Sequence, residues 1–574
     1  MSLLGKRWII KNTSNEKKLL EKIMQNRELN DAETITTFFS EKEDFLDPYL
    51  MKDMEKAVAR IKQAISDNER IIIYGDYDVD GITGTTILVK TLNKLGAQTS
   101  YRIPHRFDDG YGLHDKYIEE VAAIGAKLII TVDCGISCAR QITHAKQLGL
   151  DVIITDHHTI PEIFPTDAYA ILHPLQPDCP YPFKGLTGSA VAFKLAHALL
   201  ATLSPDDHLK FLESLTDLAS FGTVADCGPL TGENRTIVKR GLKAFKNTHW
   251  AGLRQMKNFA KIKDEDVLDT TTIGFKMGPR INAAGRVDHP YVALQLLLRD
   301  EDDARTLALA QKLEGLNIMR QEMTQKAVFE AMKLYKSEYH KHLFIAHSPD
   351  WHTGILGLIA SRAVEKFGCP AIILQDRDDM LVASARSIDG CNITDLIGSQ
   401  SENLITFGGH AAAAGFSVKK EKLHIVEREF YKKAQALWGY ASSSEHSPGS
   451  VSGFRPQLNL DCEISHDELT TENALKIEKM QPFGIGNTKP LFVLKDARIS
   501  DISLVGKEHN HARLTIQTKD QDLVGIFFSA PEKVLRRQIG DINTPVSIAC
   551  NLELNRFRGK TTLQLMIVDI EVGH

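Results

Sequence analysis

At 574 residues the chain is too long for a single hydrophobic core, and its length implies about three to five domains. With 43% hydrophobic and 25% charged residues it has the balance of a soluble globular protein, and no apolar run is long enough to span a membrane. A formal net charge of -5 does not advertise a nucleic-acid binder, yet it excludes none, because acids gathered around metals lower the total while basic surface lies elsewhere. The opening MSLLGKRWIIKN has no apolar run suited to a signal peptide. The cysteines are scattered, and Cys134 and Cys138 have C-x3-C spacing without a second pair. Reduced, buried thiols and a cytoplasmic protein are expected.

Residues 1–68 read as a helical region packed on the lobe that follows, with apolar residues at helical spacing over 50–68. A first α/β domain is expected over 69–290. Its first strand, Ile71–Tyr74, runs into Asp76, Asp78 and Asp80, then Gly81, Gly84 and a helix. Ligands of open α/β sheets bind at the carboxyl ends of strands. Three acids in five residues repel one another, and a bound divalent cation would relieve that repulsion; an acidic surface turn is the plainer alternative. A second strand covers about 98–103, and residues 104–114 form a polar loop. Strands at 127–132 and 152–155 then end at Asp133 and at Asp156, His157 and His158. Strands alternating with helices imply a mainly parallel sheet. The proline-rich stretch 159–183 reads as an ordered connection, and a helix over Phe211–Val224 ends at Asp226.

The glycine-rich stretch 272–290 reads as a loop carrying Arg280, Asn282 and Arg286, which suit phosphate binding as well as they suit anchoring the next helix. That helix, 291–337, is read as a rigid connector. A second α/β domain, 338–433, carries Arg386 and Ser387 at a strand end, and Gly408, Gly409 and His410 before a small-residue helix start, where backbone donors could meet phosphate. A flexible linker is expected over 434–450. The last region, 451–574, has five short strands and suggests a small barrel of the oligonucleotide-binding class, with His509, His511, Arg513, Arg556, Arg558 and Lys560 as polar surface.

Asp78, Asp80, Asp133, His157 and Asp226 form a candidate constellation, with Asp76 and His158 close by. Carboxylates and imidazole suit Mn2+ or Mg2+ better than a thiolate-rich zinc site does. Two ions about 3.5–4 Å apart could bind phosphate, acidify a water and stabilise a departing oxygen.

The ordered motifs GDYDVDG (75–81), VDCG (132–135), DHH (156–158), GTVAD (222–226), RINAAGR (280–286), WHTGILGLIASR (351–362), SARS (384–387), GGHAAAAG (408–415) and PFGIGNTKP (482–490) resemble the DHH phosphoesterase superfamily, and within it the RecJ single-strand DNA exonucleases. The resemblance implies a multidomain α/β protein: a DHH catalytic domain with a parallel sheet, a long connecting helix, a DHHA1 domain and an OB-like barrel. It implies hydrolysis of single-stranded DNA from the 5′ end with Mn2+ or Mg2+, two ions in all, in mismatch repair, recombination and replication-fork repair. By motif, Asp78, Asp80, Asp133, His157 and Asp226 are the metal ligands. Asp76 and His158 support them, and the arginines and the GGH segment engage DNA. A monomer working with a single-strand-binding protein and a helicase, away from membranes, is the expected context. Tyr74 departs from relatives that carry histidine there. The competing readings are a DHH phosphoesterase acting on short oligonucleotides or cyclic dinucleotides, and a nucleic-acid scaffold with a degenerate metal centre.

Overall fold

The computed structural model describes residues 2–14, 17–40, 44–337, 340–438, 457–506, 509–518, 522–536, 544–557 and 559–572. The strands are β1 (Arg7–Asn12), β2 (Arg70–Gly75), β3 (Gln98–Arg102), β4 (Leu128–Val132), β5 (Asp151–Thr155), β6 (Ala170–Leu172), β7 (Phe344–Ser348), β8 (Ala371–Arg377), β9 (Met380–Arg386), β10 (Leu404–His410), β11 (Ala413–Lys419), β12 (Gln457–Glu463), β13 (Phe492–Val505), β14 (His511–Gln517), β15 (Asp522–Phe527), β16 (Pro545–Phe557) and β17 (Lys560–Val572). Among the described residues no helix is long and apolar enough to cross a membrane.

The first sheet is parallel throughout, in the order β3-β2-β4-β5-β6. Both its faces are covered, which is why its inner strands β2, β4 and β5 carry apolar runs, while the edge strand β3, QTSYR, is polar and half-buried. Ile71, Ile73 and Ile130 face one core, and Ile72, Tyr74, Ile129 and Ile154 face the other. The chain leaves β2 for β3 on one side and returns to β4 on the other, so the crevice for a ligand opens between β2 and β4. In-register pairing of Gly75 with Val132 and of Val132 with Thr155 brings the residues just beyond each strand level with one another. Backbone bonds from Asp76 N to Val132 O (3.2 Å) and from Asp133 N to Thr155 O (2.9 Å) carry the ladder one step past the strands.

The second domain has strand order β10-β11-β9-β8-β7, with only β7 and β8 parallel. The helix Ala304–Lys333 joins it to the first. At 1.5 Å per residue its 30 residues extend about 45 Å. Ala310, Leu313 and Leu316 are buried in the first domain's core, and Ala327 and Ala331 in the second's. The connector therefore begins after residue 291. Tyr291–Leu297 is a separate helix whose Ala293, Leu294, Leu296 and Leu297 are wholly buried in the first domain.

β13 to β17 form the expected barrel, closed by pairing of β13 with β16. The N-terminal expectation is corrected here. β1 pairs in parallel with β12 of the barrel, and Leu19, Ile23 and Met24 enter the barrel core. Residues from Phe45 onward do pack on the catalytic lobe: Phe45 stands edge-on to Phe193, Leu46 N donates to Glu233 Oε1 (3.0 Å), and the helix Met54–Ser66 buries Met54, Ala57, Val58 and Ile61 there. Asp569, wholly buried at the barrel's last strand, ties this arm down by accepting from Leu4 N (3.2 Å) and Trp8 Nε1 (3.0 Å) and from the Ser2 hydroxyl.

Two further expectations change. Residues 272–287 are helical, a π turn at Thr272–Met277 followed by the α-helix Gly278–Val287. Pro279 follows closely on the π turn and has no N–H to bond back into it. The GGH segment is the end of a β-hairpin, with His410 opposite Ala413, and it starts no helix. A Cβ at Gly409 would lie 2.4 Å from Ala414 Cα, so the glycine serves close strand pairing. The helix Leu423–Trp438 runs into the expected linker, while 439–450 and Arg558 lie outside the described residues.

Deleting residues 2–12 leaves Asp569 buried without three of its donors, at a cost of about 1–3 kcal/mol for the orphaned carboxylate alone. The barrel transition in scanning calorimetry is expected to move to lower temperature while the catalytic-lobe transition stays in place.

Candidate metal centre

The turn after β2 is shaped by its own acids. Asp78 caps the helix Val79–Lys94, its Oδ1 accepting from Asp80 N (2.9 Å) and Gly81 N (3.1 Å). Asp80 is buried, and its carboxylate accepts from Gly188 N (2.6 Å) and Ser189 N (3.0 Å) at the start of the helix Gly188–Leu200. Asp133 follows β4 with φ +59°, a strained backbone for a residue with a side chain. Asp226 ends the helix Thr216–Ala225.

These elements bring every predicted member of the constellation together. Donor atoms lie within 4.8 Å of one another in three groups: Asp76, Asp78 and Asp133; Asp80, His157 and Asp226; and Asp133, His157 and His158. His157 Nε2 stands 3.1 Å from Asp133 Oδ1, 3.6 Å from Asp226 Oδ2 and 3.8 Å from Asp80 Oδ2. Asp76 is thus as close to the centre as the acids that motif matching ranks above it. Three buried atoms, Asp76 Oδ1, Asp133 Oδ1 and His157 Nε2, have no hydrogen-bond partner. Buried lone pairs of that kind are costly unless something electropositive meets them. The donor set is oxygen with one imidazole nitrogen, so the residues fit hard divalent cations such as Mn2+ or Mg2+.

Electrostatics agree with the geometry. Burial, then the Asp78 charge, pushes Asp76 well above the usual carboxylate range, and burial followed by Asp80 does the same to Asp133. Burial and Asp80 raise Asp78, and raise Asp226 to about 8. Burial lowers His157, keeping its ring neutral and able to offer a lone pair.

Asp156, which the sequence reading leaves out of the site, organises both histidines. Its Oδ1 accepts from His157 N (2.7 Å), His158 N (3.1 Å) and His158 Nδ1 (2.8 Å), while Oδ2 accepts from Ile136 N (2.9 Å). Burial alone would raise this acid, but the hydrogen bond to His158 wins and holds it at about 2. Burial would lower His158, but the bond and charge of Asp156 win and hold it at about 9. Tyr111 was also missed. Its hydroxyl donates to Asp133 O (3.0 Å) and lies 3.1 Å from His158 Nδ1. The flanking Gly110 and Gly112, both at positive φ, were its available signal. Tyr74 turns away from the cluster into the opposite core and donates to Gly112 O (3.0 Å).

The expected phosphate-binding residues divide. Arg286 is half-buried, donates to Gly354 O of the second domain (2.9 Å), and is pushed down to about 9 by desolvation and by the charges of Arg106, Arg320 and Arg386. Arg386 lies against Ser384 Oγ and the Ala385 carbonyl, and burial followed by Arg106 lowers it too. These four arginines, of which Arg106 and Arg320 were missed, make an electropositive cluster between the lobes. Arg280 instead pairs with Glu314 through Nε (2.7 Å) and Nη2 (3.1 Å), which makes it a clamp on the long helix. Ser387 bonds to Ala412 O and Cys391 O and holds the hairpin whose exposed end carries Gly408, Gly409 and His410. Asn282 and Arg286 line a groove of about 1010 Å3 that starts at Val224 and Ala225, beside Asp226, and reaches Phe483 and Lys489 next to the barrel.

Close packing of backbone makes room for the acids. A Cβ at Gly188 would lie 2.5 Å from Asp133 Oδ1, and one at Gly222 would lie 2.3 Å from Asp80 Oδ1. Gly188→Ala is expected to displace Asp133 and weaken Mn2+ binding about 10–100-fold in titration calorimetry, with helix content unchanged in circular dichroism. Asp76, Asp78, Asp133 and Asp226 all titrate higher in the folded chain than a free aspartate does. Their contribution to stability is therefore complete below about pH 4 and is lost as pH rises through the folded values. Cations compete with those protons. Mn2+ is expected to raise the melting temperature more at mildly alkaline than at mildly acidic pH, and equal rises would mean that these carboxylates do not bind it.

Known proteins share this organisation. The sequence matches the DHH family N-terminal domain over residues 70–223, the DHHA1 domain over 340–436 and the RecJ OB domain over 460–569. The single-stranded-DNA-specific exonuclease RecJ of Bacillus subtilis (strain 168) is 36% identical over 562 residues, covering 97% of this chain and 68% of that protein. The protein of the same name from Haemophilus influenzae is 32% identical over 584 residues, covering 98% of this chain and 97% of the other. The crystal structure of RecJ in complex with Mn2+ from Thermus thermophilus matches with a TM-score of 0.80 at 26% identity, over 99% of this chain and 80% of that one. The corresponding Mg2+ complex gives a TM-score of 0.74 at 25% identity, over 99% of this chain and 79% of that one.

Proposed function

The chain belongs to the RecJ family of single-stranded-DNA-specific exonucleases, and from that premise we propose how its own residues hydrolyse the strand and from which end. The observation that carries the reading is the set of orphaned buried donors, Asp76 Oδ1, Asp133 Oδ1 and His157 Nε2, together with a groove whose lining begins at Val224 and Ala225, next to Asp226 in the chain. Asp76, Asp78 and Asp133 would hold one cation and Asp80, His157 and Asp226 the other, Asp133 Oδ1 standing 3.1 Å from His157 Nε2 between the two groups. Mn2+ or Mg2+ held there would supply positive charge to the phosphate oxygens and lower the pKa of a water.

The protein's part is to place and polarise. Asp156 fixes the His158 ring through Nδ1 and holds it protonated, leaving Nε2–H to donate to a phosphate oxygen where negative charge develops. Asp80 is locked by two backbone donors, so it reorganises little during a turnover. The cluster of Arg106, Arg286, Arg320 and Arg386 suits the doubly charged phosphate at a strand terminus better than the single charge of an internal one. That preference supports attack from a phosphorylated strand end, and the resemblance to the RecJ exonucleases supplies the direction, from the 5′ end toward the 3′ end. Selection of single strands follows from the groove, where bases reach protein surface that a paired strand would cover. The reading extends to a monomeric, cytoplasmic enzyme of mismatch repair, recombination and fork repair, working with a single-strand-binding protein and a helicase.

Strands labelled at the 5′ or the 3′ end, matched duplexes and 5′-blocked strands test polarity and strand choice. Immediate release of labelled mononucleotide from the 5′-labelled single strand is expected, with slow loss of duplex and of blocked strands. Turnover of dinucleotides alone would defeat the reading. Asp133→Ala is expected to reduce hydrolysis to background while leaving folding and strand binding in place. Asp156→Asn is expected to slow turnover about 10–100-fold.

A further inference from the structure

The groove beside Asp226 contains one residue whose placement the chemistry of hydrolysis does not use. Phe275 lines it and is 81% exposed, the most exposed large hydrophobic side chain among the described residues. A single exposed phenylalanine on a protein surface is ordinary. This one sits within the π turn Thr272–Met277, an irregularity that is uncommon in helices and recurs at functional sites. Its neighbour Gly274 has ample room, the nearest atom to an added Cβ being Val224 Cγ1 at 3.9 Å. Ile485, 55% exposed on the corner that precedes β13, lines the same groove.

The groove's charge says what it accommodates. Arg286, Arg320, Arg362 and Lys489 line it against one carboxylate, Asp269. Asp269 is already engaged by Thr271 Oγ1 (2.6 Å) and Thr272 N (2.9 Å). Arg362 and Lys489 also pair with Glu365 and Glu553, partly exposed bridges that a phosphate can displace at little cost. A cationic track with an aromatic ring standing in it is what single-stranded nucleic acid requires, phosphates on the cations and a base on the ring. The track begins at Val224 and Ala225, the two residues that precede Asp226 of the metal centre. Its occupant is therefore the strand awaiting cleavage.

We propose that Phe275 is a stacking platform for a base of the strand downstream of the scissile phosphate, holding the substrate between successive cleavages. The inference rests on single-strand hydrolysis at the adjoining site. It makes Phe275 a determinant of grip and of the number of nucleotides removed per encounter, with no part in bond breaking.

The test uses full-length protein carrying Asp133→Ala, so that strands survive, and 5′-phosphorylated oligothymidylates in which a single abasic residue is walked from one end to the other. Binding is followed by anisotropy of a 3′ dye. With Phe275 present, affinity is expected to fall about tenfold when the abasic residue occupies one particular position, and little elsewhere. Adding Phe275→Ala should weaken binding to the intact strand by a similar factor and abolish the sensitivity at that position, while Phe275→Tyr keeps both. In the active enzyme, Phe275→Ala should raise KM and shorten the run of cleavages per encounter. The side chain is exposed, and unchanged circular dichroism and Mn2+-dependent melting are expected to exclude misfolding. Unchanged affinity in Phe275→Ala, or equal loss at every abasic position with Phe275 present, would overturn the proposal. If unaltered protein leaves single strands intact in the end-label assay, the functional reading itself fails and this inference falls with it.

Discussion

Mutual repulsion of buried carboxylates is the constraint on which the rest of this structure depends. Asp76, Asp78, Asp80, Asp133 and Asp226 crowd one crevice, and no lysine or arginine forms an ion pair with any of them among the described residues. Such a group of acids is unfavourable unless protonated or met by cations. The fold bears this cost because its first sheet is anchored on both faces by large cores. The raised proton affinities and the orphaned oxygens are two expressions of one arrangement. The site is built for multivalent positive charge, and its acids hold their positions by packing.

That packing is unusually direct. The acids rest on backbone where glycine replaces a side chain, at Gly188 beneath Asp133 and at Gly222 beneath Asp80. Asp80 then receives two amide hydrogens from the start of a helix, whose dipole favours negative charge there. The opposite need arises on the histidine side, where Asp156 keeps one ring charged while burial keeps its neighbour neutral. Adjacent residues of identical chemistry are thereby given different protonation states and different work.

The catalytic crevice was legible in the sequence because parallel strands are short apolar runs, and the residue that ends each run carries the chemistry. Asp76, Asp133 and His157 all follow from that rule, and in-register pairing makes them converge. Asp226 needed a further step, since its helix end is brought in by packing that no local pattern encodes. Other features stayed hidden for definable reasons. The alanine and glycine run at 408–415 has the composition of a helix start, yet long-range pairing with β9 makes it a hairpin. Arg280 carries the right charge for DNA, but Glu314 lies far along the chain and claims it. β1 is a strand only because β12 stands beside it, a partner hundreds of residues away.

The barrel's dependence on both ends of the chain has a consequence for biosynthesis. β1 is made before its partner β12, which does not appear until residue 457. At about 5–20 residues per second the interval is roughly 20–90 s. Throughout it the apolar segment Trp8 to Ile10 lacks the strand it pairs with in the finished fold. Such a segment would template aggregation on neighbouring nascent chains. Lys6, Arg7 and Lys11 bracket it with like charge, the usual protection for a strand that must wait. The same residues that flank a completed sheet edge in the mature enzyme thus act earlier as guards of an unfinished one.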